Sequence, residues 1–435
     1  MDKKKVLIIT YYWPPAGGPG VQRWLKFVKY LPDFDIQPIV YCPSNANYPI
    51  IDESLKNEVS TDLTILSQPI KEPYKLAQLF SKKSKTISKG IIAEKEKQSL
   101  LERLLLFVRG NFFIPDARKN WVKPSVRYLS TYIADFNIDT VITSGPPHSL
   151  HLIGLQLQKK QAVNWIADFR DPWTSIGYHK QLKLTNKSKI KHKTLEKRVL
   201  NSANHIIVTS PSTKAEFEDI TNQPIQVITN GYDTEKVTVN GLDEKFTLSH
   251  IGSLLSKRNP EILWKVLRDL IEEDDSFAAQ FQLNLVGEVG KDVIESINDY
   301  NLTDSLNDIG YVSHNEAIKC QKKSQLLLLI EINSEDTKAI IPGKLFEYMV
   351  SNRPIIAFGP EGADIASIIK ETNTGQFFTY DDYDALKNTI KLYFESYKNG
   401  DLKTNPIGLQ KYSRKNLTKQ LSELLHNPKL VNRKL

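Results

Sequence analysis

A lysine and a glutamate stand one helical turn apart in the stretch IIPGKLFEYMVSNRPIIAFG at 340–359. Pro342 is typical of a helix start, so Lys344 is predicted in the first turn. A cation there opposes the helix dipole and costs roughly a few tenths of a kcal/mol. Glu347 follows in the less favourable order for an ion pair. Local stability therefore does not explain Lys344, whereas a bound phosphate does. Glu347 would then accept hydrogen bonds from sugar hydroxyls.

A second cationic stretch, HIGSLLSKRNP at 250–260, also precedes a predicted helix. Its strand ends at Gly252, and Lys257 and Arg258 come just before a helix that starts near Pro260. Two cations beside a helix N-terminus suit a diphosphate, because backbone N–H groups and side chains converge on it. Gly252, Lys257 and Arg258 are therefore candidate donor-binding residues. The alternative is that both cations are simply exposed to solvent.

Charged side chains also end a strand-like run in WIADFRDPW at 165–173. Asp168, Arg170 and Asp171 would lie at the sheet edge where open α/β sheets bind ligands. Three charges there could orient hydroxyls and stabilise developing charge, so all three are candidate catalytic residues. The alternative is an Asp–Arg pair that fixes the loop.

A histidine follows another strand, in TSGPPHSLH at 143–151. His148 would reach the same sheet edge and could donate a hydrogen bond to a substrate oxygen. A lone histidine is more often a structural residue, so its position at this edge is what makes His148 a candidate catalytic residue.

Prolines and glycines follow the first strand in VLIITYYWPPAGGPG at 6–20. Gly18 and Gly20 match the first two glycines of a dinucleotide fingerprint, but Arg23 occupies the third position, and the second strand leads to no ribose-binding carboxylate. A nicotinamide-binding function is therefore disfavoured. A turn at Gly17 and Gly18 that faces a phosphate or sugar remains open, because glycine allows close approach of a ligand. A purely structural turn is the alternative.

Strand-like runs alternate with helical periodicity along most of the chain, which predicts an α/β fold with parallel sheets. About a dozen strands are too many for one core, and the polar stretch at 230–245 is the best boundary. We therefore predict two doubly wound Rossmann-like domains, 1–235 and 236–408, with a C-terminal helix in 409–435 that packs on either of them. The strands are expected near 5–10, 36–41, 63–67, 139–143, 163–168, 204–209, 225–228, 246–251, 281–287, 326–330, 354–358 and 376–379.

Residues 71–125 break this alternation and are interpreted as an insertion in the first domain. Lysines at 82–97 precede an apolar helical pattern, LLERLLLFVRGNFF. One interpretation is a basic, amphipathic surface for an anionic membrane or a lipid-linked substrate. The other is a solvated loop followed by an ordinary core helix.

Composition narrows the function classes further. The net charge of +8 favours anionic partners, but the lysines at 82–97 lack the interleaved aromatics of a stacking platform, so no nucleic-acid partner is expected. No apolar run approaches the roughly 18 residues of a membrane span. Two distant cysteines, Cys42 and Cys320, support neither a disulfide framework nor a thiolate metal site. A cytoplasmic protein, peripheral on the inner membrane face at most, is expected.

Taken together, these stretches resemble the retaining GT-B glycosyltransferases of family four. The resemblance rests on the opening Gly-rich loop, LEKRVLNSANHIIVTSPSTKAEF with VITNGYD, HIGSLLSKRNP, LNLVGEVG and PGKLFEYMVSNRPIIA, which are collinear over most of the chain outside 71–125. It implies two Rossmann-like domains that face a cleft, and transfer of a sugar from a nucleotide-diphosphate donor to a glycan or lipid-linked acceptor with retained configuration. It also implies that neither a metal nor a cofactor is required.

The resemblance also implies roles for individual residues. Lys344 with Arg258 or Lys257 would hold the diphosphate, Glu347 the donor ribose, and the loop at Gly17 and Gly18 would lie under the donor. Asp168, Arg170 and Asp171 fall where the family often has an active-site histidine.

One position departs from the family pattern. The family usually has a second glutamate eight residues before Glu347, and that position is Ala339, with Glu335 as a nearby substitute. The departure leaves the donor sugar and the activity open. Two other functions stay in view. One is a sugar-nucleotide epimerase of the same fold, and the other is a non-catalytic sugar-nucleotide-binding protein. An Asp-x-Asp metal motif is not supported, because DFD at 33–35 follows a helical pattern.

Overall fold

The computed structural model describes residues 3–72, 100–233 and 238–427. The chain divides into two compact units, Met1–Thr229 with Arg414–Leu435 and Asn230–Ser413. The division thus falls before Asn230 rather than between 235 and 236. The C-terminal helix, whose partner the sequence left open, belongs to the first unit. The lysines at 82–97 lie outside the described residues.

The first unit contains a seven-stranded, fully parallel sheet in the order β3-β2-β1-β4-β5-β6-β7. Its strands are β1 Lys4–Ile9, β2 Ile36–Pro43, β3 Thr64–Gln68, β4 Thr140–Gly145, β5 Asn164–Phe169, β6 His205–Val208 and β7 Ile225–Val227. Its described helices are α1 Pro19–Tyr30, α2 Leu100–Phe112, α3 Val122–Asp135, α4 Ser149–Gln161, α5 Gly177–Lys180, α6 Asn186–Ser202, α7 Pro211–Glu218 and α15 Arg414–His426.

The second unit contains a six-stranded parallel sheet in the order β10-β9-β8-β11-β12-β13. Its strands are β8 Phe246–Ile251, β9 Phe281–Val286, β10 Leu306–Gly310, β11 Leu326–Ile330, β12 Ile355–Phe358 and β13 Gly375–Phe378. Its described helices are α8 Glu261–Glu273, α9 Asp275–Gln280, α10 Lys291–Asp299, α11 His314–Lys323, α12 Gly343–Met349, α13 Asp364–Thr372 and α14 Tyr383–Lys398.

Short 3₁₀ turns join these elements at Leu31–Phe34, Glu53–Glu58, Lys119–Trp121, Ser256–Arg258, Thr303–Ser305, Glu335–Thr337 and Leu409–Tyr412. All twelve predicted strands are present within a few residues of their expected bounds. The sequence analysis missed β10, because this edge strand (LNDIG) is polar and none of its residues is fully buried. The two-Rossmann, α/β fold class is confirmed.

Both faces of each sheet are covered, which is why the strands are so apolar. In β1, Val6 and Ile8 face a cluster completed by α1 and α15, while Leu7 and Ile9 face a cluster completed by α3 and α4. Helix α15 contributes Leu417, Leu421, Leu424 and Leu425 to the first of these clusters. Burial of a leucine contributes about 1.5–3 kcal/mol, so these side chains fix the C-terminal helix on the first unit.

In each sheet the strand order reverses at one point, between β1 and β4 and between β8 and β11. Ligands of open α/β sheets bind beyond the carboxyl ends of the strands at such a switch point. The loops after β1, β4 and β5 carry the glycine, histidine and aspartate candidates of the first unit. The loops after β8 and β11 lead to the cationic candidates of the second unit.

Candidate functional site

Lys344 lies over Gly252 in the second unit. A Cβ atom built on Gly252 would stand 3.0 Å from Lys344 Nζ and 3.5 Å from Cε. Gly252 also has a φ of +116°, a conformation that residues with a side chain rarely adopt. Glycine at this position therefore lets the lysine head reach the backbone just after β8.

Arg258 is directed at a carboxylate that follows the neighbouring strand β11. Its Nη2 atom lies 3.5 Å from Glu331 Oε2, and the Glu331 side chain is only 2% exposed. The Glu331 backbone is also fixed, since its N–H donates to Phe358 O at 2.9 Å and its carbonyl accepts from Tyr380 Oη at 2.7 Å. Burial raises the pKa of Glu331, and the charges of Arg258 and Lys344 oppose that rise.

The electrostatics of this group favour an additional anion. Burial, followed by the charge of Arg258, lowers the pKa of Lys344 to about 8, while Glu331 and Glu347 act in the opposite direction. A lysine desolvated beside an arginine is stabilised in its charged form by a negative ligand. The group can therefore bind a phosphate or diphosphate through charge-assisted hydrogen bonds.

The other predicted donor-binding residues of this unit lie beside this group. Glu347 is half-buried one turn after Lys344 on α12, and its Oε2 accepts a hydrogen bond from Gln321 Nε2 at 3.3 Å. Lys257 is exposed next to Arg258 in the 3₁₀ turn. Glu335, considered as a substitute for the carboxylate missing at Ala339, pairs with Lys338 at 2.7 Å and is 80% exposed.

Sequence reasoning missed Glu331 and His250. His250 is buried, its Nδ1 lies 3.0 Å from Leu328 O, and burial lowers its pKa well below the usual range. The sequence did contain a sign of Glu331: it is the first polar residue after the apolar run LLLLI, as Asp168 is near the end of the run WIA. In each unit, a buried carboxylate therefore lies at the carboxyl end of a strand: Asp168 at the end of β5 and Glu331 directly after β11.

Asp168, predicted to be catalytic, is the buried centre of a hydrogen-bond network in the first unit. Its side chain is 0% exposed, and Oδ1 receives Arg23 Nη2 at 2.9 Å. Oδ2 accepts from Trp24 Nε1 at 2.9 Å and from Ser144 Oγ at 2.8 Å. Arg23 also donates to Thr229 O at 2.9 Å. This geometry favours the structural alternative for Asp168, with Arg23 as its partner.

Arg170 is fixed by its own loop and by the start of α1. Its backbone N–H donates to Gly145 O at 2.9 Å, and its Nη2 donates to Pro146 O. A Cβ atom built on Gly20 would stand 1.9 Å from Arg170 Nη1, so a glycine at this position of α1 leaves room for the guanidinium. Arg170 is thus held at the sheet edge between β4 and β5, half-exposed.

Asp171 and His148 are the two titratable candidates of this edge. Burial raises the pKa of Asp171, the Arg170 charge opposes that rise, and Asp168 adds to it. His148 is buried and stacks on Trp173, with ring centroids 5.0 Å apart. Burial and the neighbouring His151 lower the pKa of His148 well below its usual range. His148 is therefore a neutral imidazole, and neither of its ring nitrogens has a hydrogen-bond partner within the described residues.

The other predicted residues of the first unit, Gly17 and Gly18, lie in a tightly packed loop. The N–H of Gly17 donates to Ile50 O at 2.9 Å, and a Cβ atom at Gly17 would stand 2.9 Å from Ile50 Cγ2. Gly18 has a φ of +96°. Packing and backbone conformation thus account for both glycines, and their contact with a donor stays a prediction.

Sequence analysis also missed a group of buried histidines around His148. Trp173 Nε1 donates to His192 Nδ1 at 3.1 Å, and the rings of His179 and His192 are 4.6 Å apart. Asp116 belongs to the segment 71–125 that was interpreted as an insertion. It accepts a hydrogen bond from the N–H of Ser149 at 2.8 Å and so fixes the start of α4 beside His148. No single residue type or spacing in the sequence marks this group, because it is assembled from distant elements.

A polar cavity of about 340 Å³ in the second unit is lined by other residues than these candidates. Among its lining residues, Asn307 Nδ2 donates to Asn284 Oδ1 at 2.9 Å, and Asn284 Nδ2 donates to Ser249 Oγ at 3.2 Å. These three side chains are hydrogen-bonded to one another and therefore give no sign of a ligand.

The described residues contain no group of three or more His, Cys, Asp or Glu side chains arranged to hold a metal ion. None of the helices described combines the length and the apolar character needed to cross a membrane.

Part of the chain matches a known protein family in sequence, and most of it is similar in structure to known proteins. Residues 90–236 match the family model described as Glycosyltransferase Family 4. No match was found among curated proteins. The chain is similar in structure to sucrose-phosphate synthase (tll1590) from Thermosynechococcus elongatus, at 14% identity and a TM-score of 0.60, over 98% of this chain and 99% of the other.

Two further solved structures extend the comparison. Anabaena Alr3699/HepE in complex with UDP is 13% identical, with a TM-score of 0.59 over 98% and 100% of the two chains. A putative UDP-N-acetylglucosamine 2-epimerase from Listeria monocytogenes is 11% identical, with a TM-score of 0.55 over 98% and 96%. The chain thus has the two Rossmann-like units of GT-B proteins, and its residues 90–236 carry the sequence pattern of glycosyltransferase family 4.

Proposed function

We propose that this protein is a glycosyltransferase that moves a sugar from a nucleotide-diphosphate donor to a glycan or lipid-linked acceptor. The observation that carries the proposal is the convergence of Lys344 and Arg258 at the switch point of the second sheet. Both cations lie beyond the carboxyl ends of β8 and β11, one of them on a glycine backbone and the other beside the buried Glu331. The family match and the UDP bound to Anabaena HepE support this assignment.

Within the second unit, Lys344 and Arg258 would hold the diphosphate and stabilise its charge as it leaves the sugar. Gly252 would let the phosphate approach the backbone, as it already lets Lys344 do. Glu347 would accept hydrogen bonds from the ribose of the donor. Lys257, exposed beside Arg258, would add a weaker electrostatic contribution.

Within the first unit, the titratable pair Asp171 and His148 is the best candidate for work on the reacting groups. Asp171 has a raised pKa, which suits proton exchange with an acceptor hydroxyl. His148 is a neutral imidazole whose two ring nitrogens are buried and have no hydrogen-bond partner within the described residues, so it would donate to a sugar oxygen once donor binding exposes one of them. Arg170 would stabilise negative charge, and Asp168 would act through Arg23 as a positioning residue.

We assign the protein the transfer of a hexosyl group with retained anomeric configuration. This transfer would require neither a metal nor a cofactor. Retention is carried by the resemblance to family four rather than by a geometric feature of the described residues. Product analysis by nuclear magnetic resonance, which distinguishes the two anomers, tests it directly.

A sugar-nucleotide epimerase is the second candidate, favoured by the similarity to the putative Listeria epimerase. An epimerase converts the donor without any acceptor, whereas a transferase releases nucleotide diphosphate only when an acceptor is glycosylated or water replaces it. Incubation of labelled donor with and without acceptor extracts distinguishes the two. Donor binding without turnover in either case would favour the non-catalytic binding protein.

The donor site is tested by calorimetric titration with UDP, GDP and ADP. Lys344→Ala is expected to weaken nucleotide binding by about 1.5–3 kcal/mol, the usual scale of a charge-assisted hydrogen bond. Lys370→Ala is the matched control, because Lys370 is an exposed lysine of the same unit, in the last turn of α13. Equal affinity of wild-type protein and Lys344→Ala for the nucleotide that binds, or no binding of any nucleotide, would refute the proposed donor site.

A further inference from the structure

We propose that helices α2 and α6 of the first unit form a docking surface for an anionic phospholipid bilayer. The surface is defined by Leu104, Phe107 and Phe112 on α2 and by Ile190 with the exposed lysines of α6. It does not depend on the proposed function and uses none of the candidate site residues. It shares α2 with the amphipathic segment 71–125 that the sequence analysis considered for a membrane, but takes its positive charge from α6, because the lysines at 82–97 lie outside the described residues.

Helix α2 exposes large apolar side chains on the protein surface. Leu104 is 57% exposed, Phe107 37% and Phe112 62%. Leu104 and Phe107 are three residues apart and therefore share a face of the helix. The rings of Phe107 and Phe112 are 6.4 Å apart, which extends the apolar area around the end of the helix. Exposed apolar residues that cluster in this way mark interaction sites.

Helix α6 places positive charge next to this apolar area. Ile190, itself 66% exposed, is surrounded in the α6 sequence by six exposed cations, Lys187, Lys189, Lys191, Lys193, Lys197 and Arg198. Glu196, the one acidic residue in the α6 sequence, is buried and accepts hydrogen bonds from Thr174. No ion pair within the described part of the chain neutralises these six cations.

The two helices are held together at their ends. Asn111 of α2 donates to Lys183 O at 3.0 Å and accepts from the N–H of Thr185, the N-cap of α6, at 2.9 Å. Gly110 is close to Leu182 and Leu184, and its carbonyl lies 3.3 Å from His192 Nε2 of α6. The apolar area and the lysine-rich face are therefore neighbours on one unit.

A bilayer with anionic lipids matches both properties of this surface. Apolar side chains enter the acyl boundary while lysines contact the headgroups, each lysine contributing to attraction within a Debye length. A nucleic acid would match the lysines but not the exposed leucine and phenylalanines. A second copy of the chain would place two identical positive faces against each other. Each copy also carries a net charge of +8, so repulsion disfavours this occupant.

The test is cosedimentation of the full chain with vesicles of phosphatidylglycerol and phosphatidylcholine, compared with phosphatidylcholine alone. We expect binding to the anionic vesicles at low salt that declines as the salt concentration rises. The triple variant Lys187→Gln, Lys191→Gln and Lys197→Gln is expected to bind roughly a hundredfold more weakly, from the usual contribution of each lysine near an anionic surface. Its matched control changes three exposed lysines of the second unit by the same charge: Lys291→Gln, Lys370→Gln and Lys403→Gln.

The apolar part of the surface is tested separately. Leu104→Ser with Phe107→Ser is expected to reduce vesicle binding about tenfold or more through lost apolar burial. The matched control, Leu392→Ser with Ile407→Ser, removes two exposed apolar side chains of the second unit. Thermal unfolding and nucleotide titration without vesicles establish that each variant is folded and that its donor site is unaffected.

Three results would overturn this proposal. The first is absence of vesicle binding at low salt. The second is equal loss of binding in the surface variants and their controls. The third is a concentration-dependent dimer, measured by sedimentation velocity, that the substitutions at Leu104 and Phe107 abolish, since a second copy would then be the occupant.

Discussion

The affinity for a nucleoside diphosphate should depend on the protonation of Lys344. Burial and the charge of Arg258 lower the pKa of this lysine to about 8 in the free protein. A bound diphosphate stabilises the charged form, so binding raises the pKa and is coupled to proton uptake. Since the second phosphate pKa of a nucleotide is near 6, the ligand has a constant charge above about pH 7.5.

The magnitude follows from the charged fraction of the lysine. With a pKa of about 8, roughly nine-tenths of the free protein carries a charged Lys344 at pH 7 and roughly one-tenth at pH 9. We expect the dissociation constant to rise about tenfold between these pH values, because the neutral amine lacks the charge-assisted interaction. Calorimetry in two buffers with different ionisation enthalpies would detect the associated uptake of a proton near pH 8.5.

Two variants separate this effect from the general loss of a contact. Lys344→Arg keeps its charge at every pH used, and Lys344→Gln has none, so the affinity of both should be independent of pH between 7 and 9. A wild-type affinity that changes by less than twofold over this range would refute the coupling between the buried amine and the ligand. A pH dependence of the same size in Lys344→Gln would show that another group titrates.

Two further predictions concern stability. Asp168→Ala should lower the free energy of unfolding by about 3–5 kcal/mol in a urea titration, because it leaves a buried arginine without its partner; a loss below 1 kcal/mol would contradict the network. Burial lowers the pKa of His151 to about 3 and that of His179 to about 4. The unfolded chain therefore binds more protons below pH 6.5, and stability should fall by about 1.4 kcal/mol per pH unit for each histidine down to pH 5. His179→Gln should reduce this slope by about 1.4 kcal/mol per pH unit, the contribution of one proton. An unchanged slope would show that His179 does not have a lowered pKa in the folded protein.

Continuous apolar runs were sufficient to predict every strand except β10, because the strands of a doubly wound fold are buried on both faces. Strand β10 escaped prediction for the opposite reason. It lies at the edge of its sheet, and Asp308 and Ile309 are exposed, so no apolar run marks it. The partner of α15 could not be predicted either, since its leucines are compatible with any apolar surface and only the assembled chain shows which one they cover.

The candidate site was predictable where a residue type conflicts with its local environment. Lys344 opposes the dipole of α12, and that cost pointed to a ligand before any contact was known. Glu331 has no such conflict in sequence, because a carboxylate after a strand is ordinary until its burial and its distance to Arg258 are known. His148 was predicted from its place after β4, whereas its stacking on Trp173 depends on distant elements.

Arg23 illustrates how one position decides between two functions. In a dinucleotide fingerprint the third glycine allows α1 to pack closely on its strand. Here the side chain at that position crosses to β5, where it neutralises the buried Asp168, and reaches the carbonyl of Thr229, the last residue of the first unit before the chain enters the second. A glycine could make none of these contacts. The residue that disfavours nicotinamide binding therefore also ties α1, and with it the Gly-rich loop, to the strand end that carries Arg170 and Asp171.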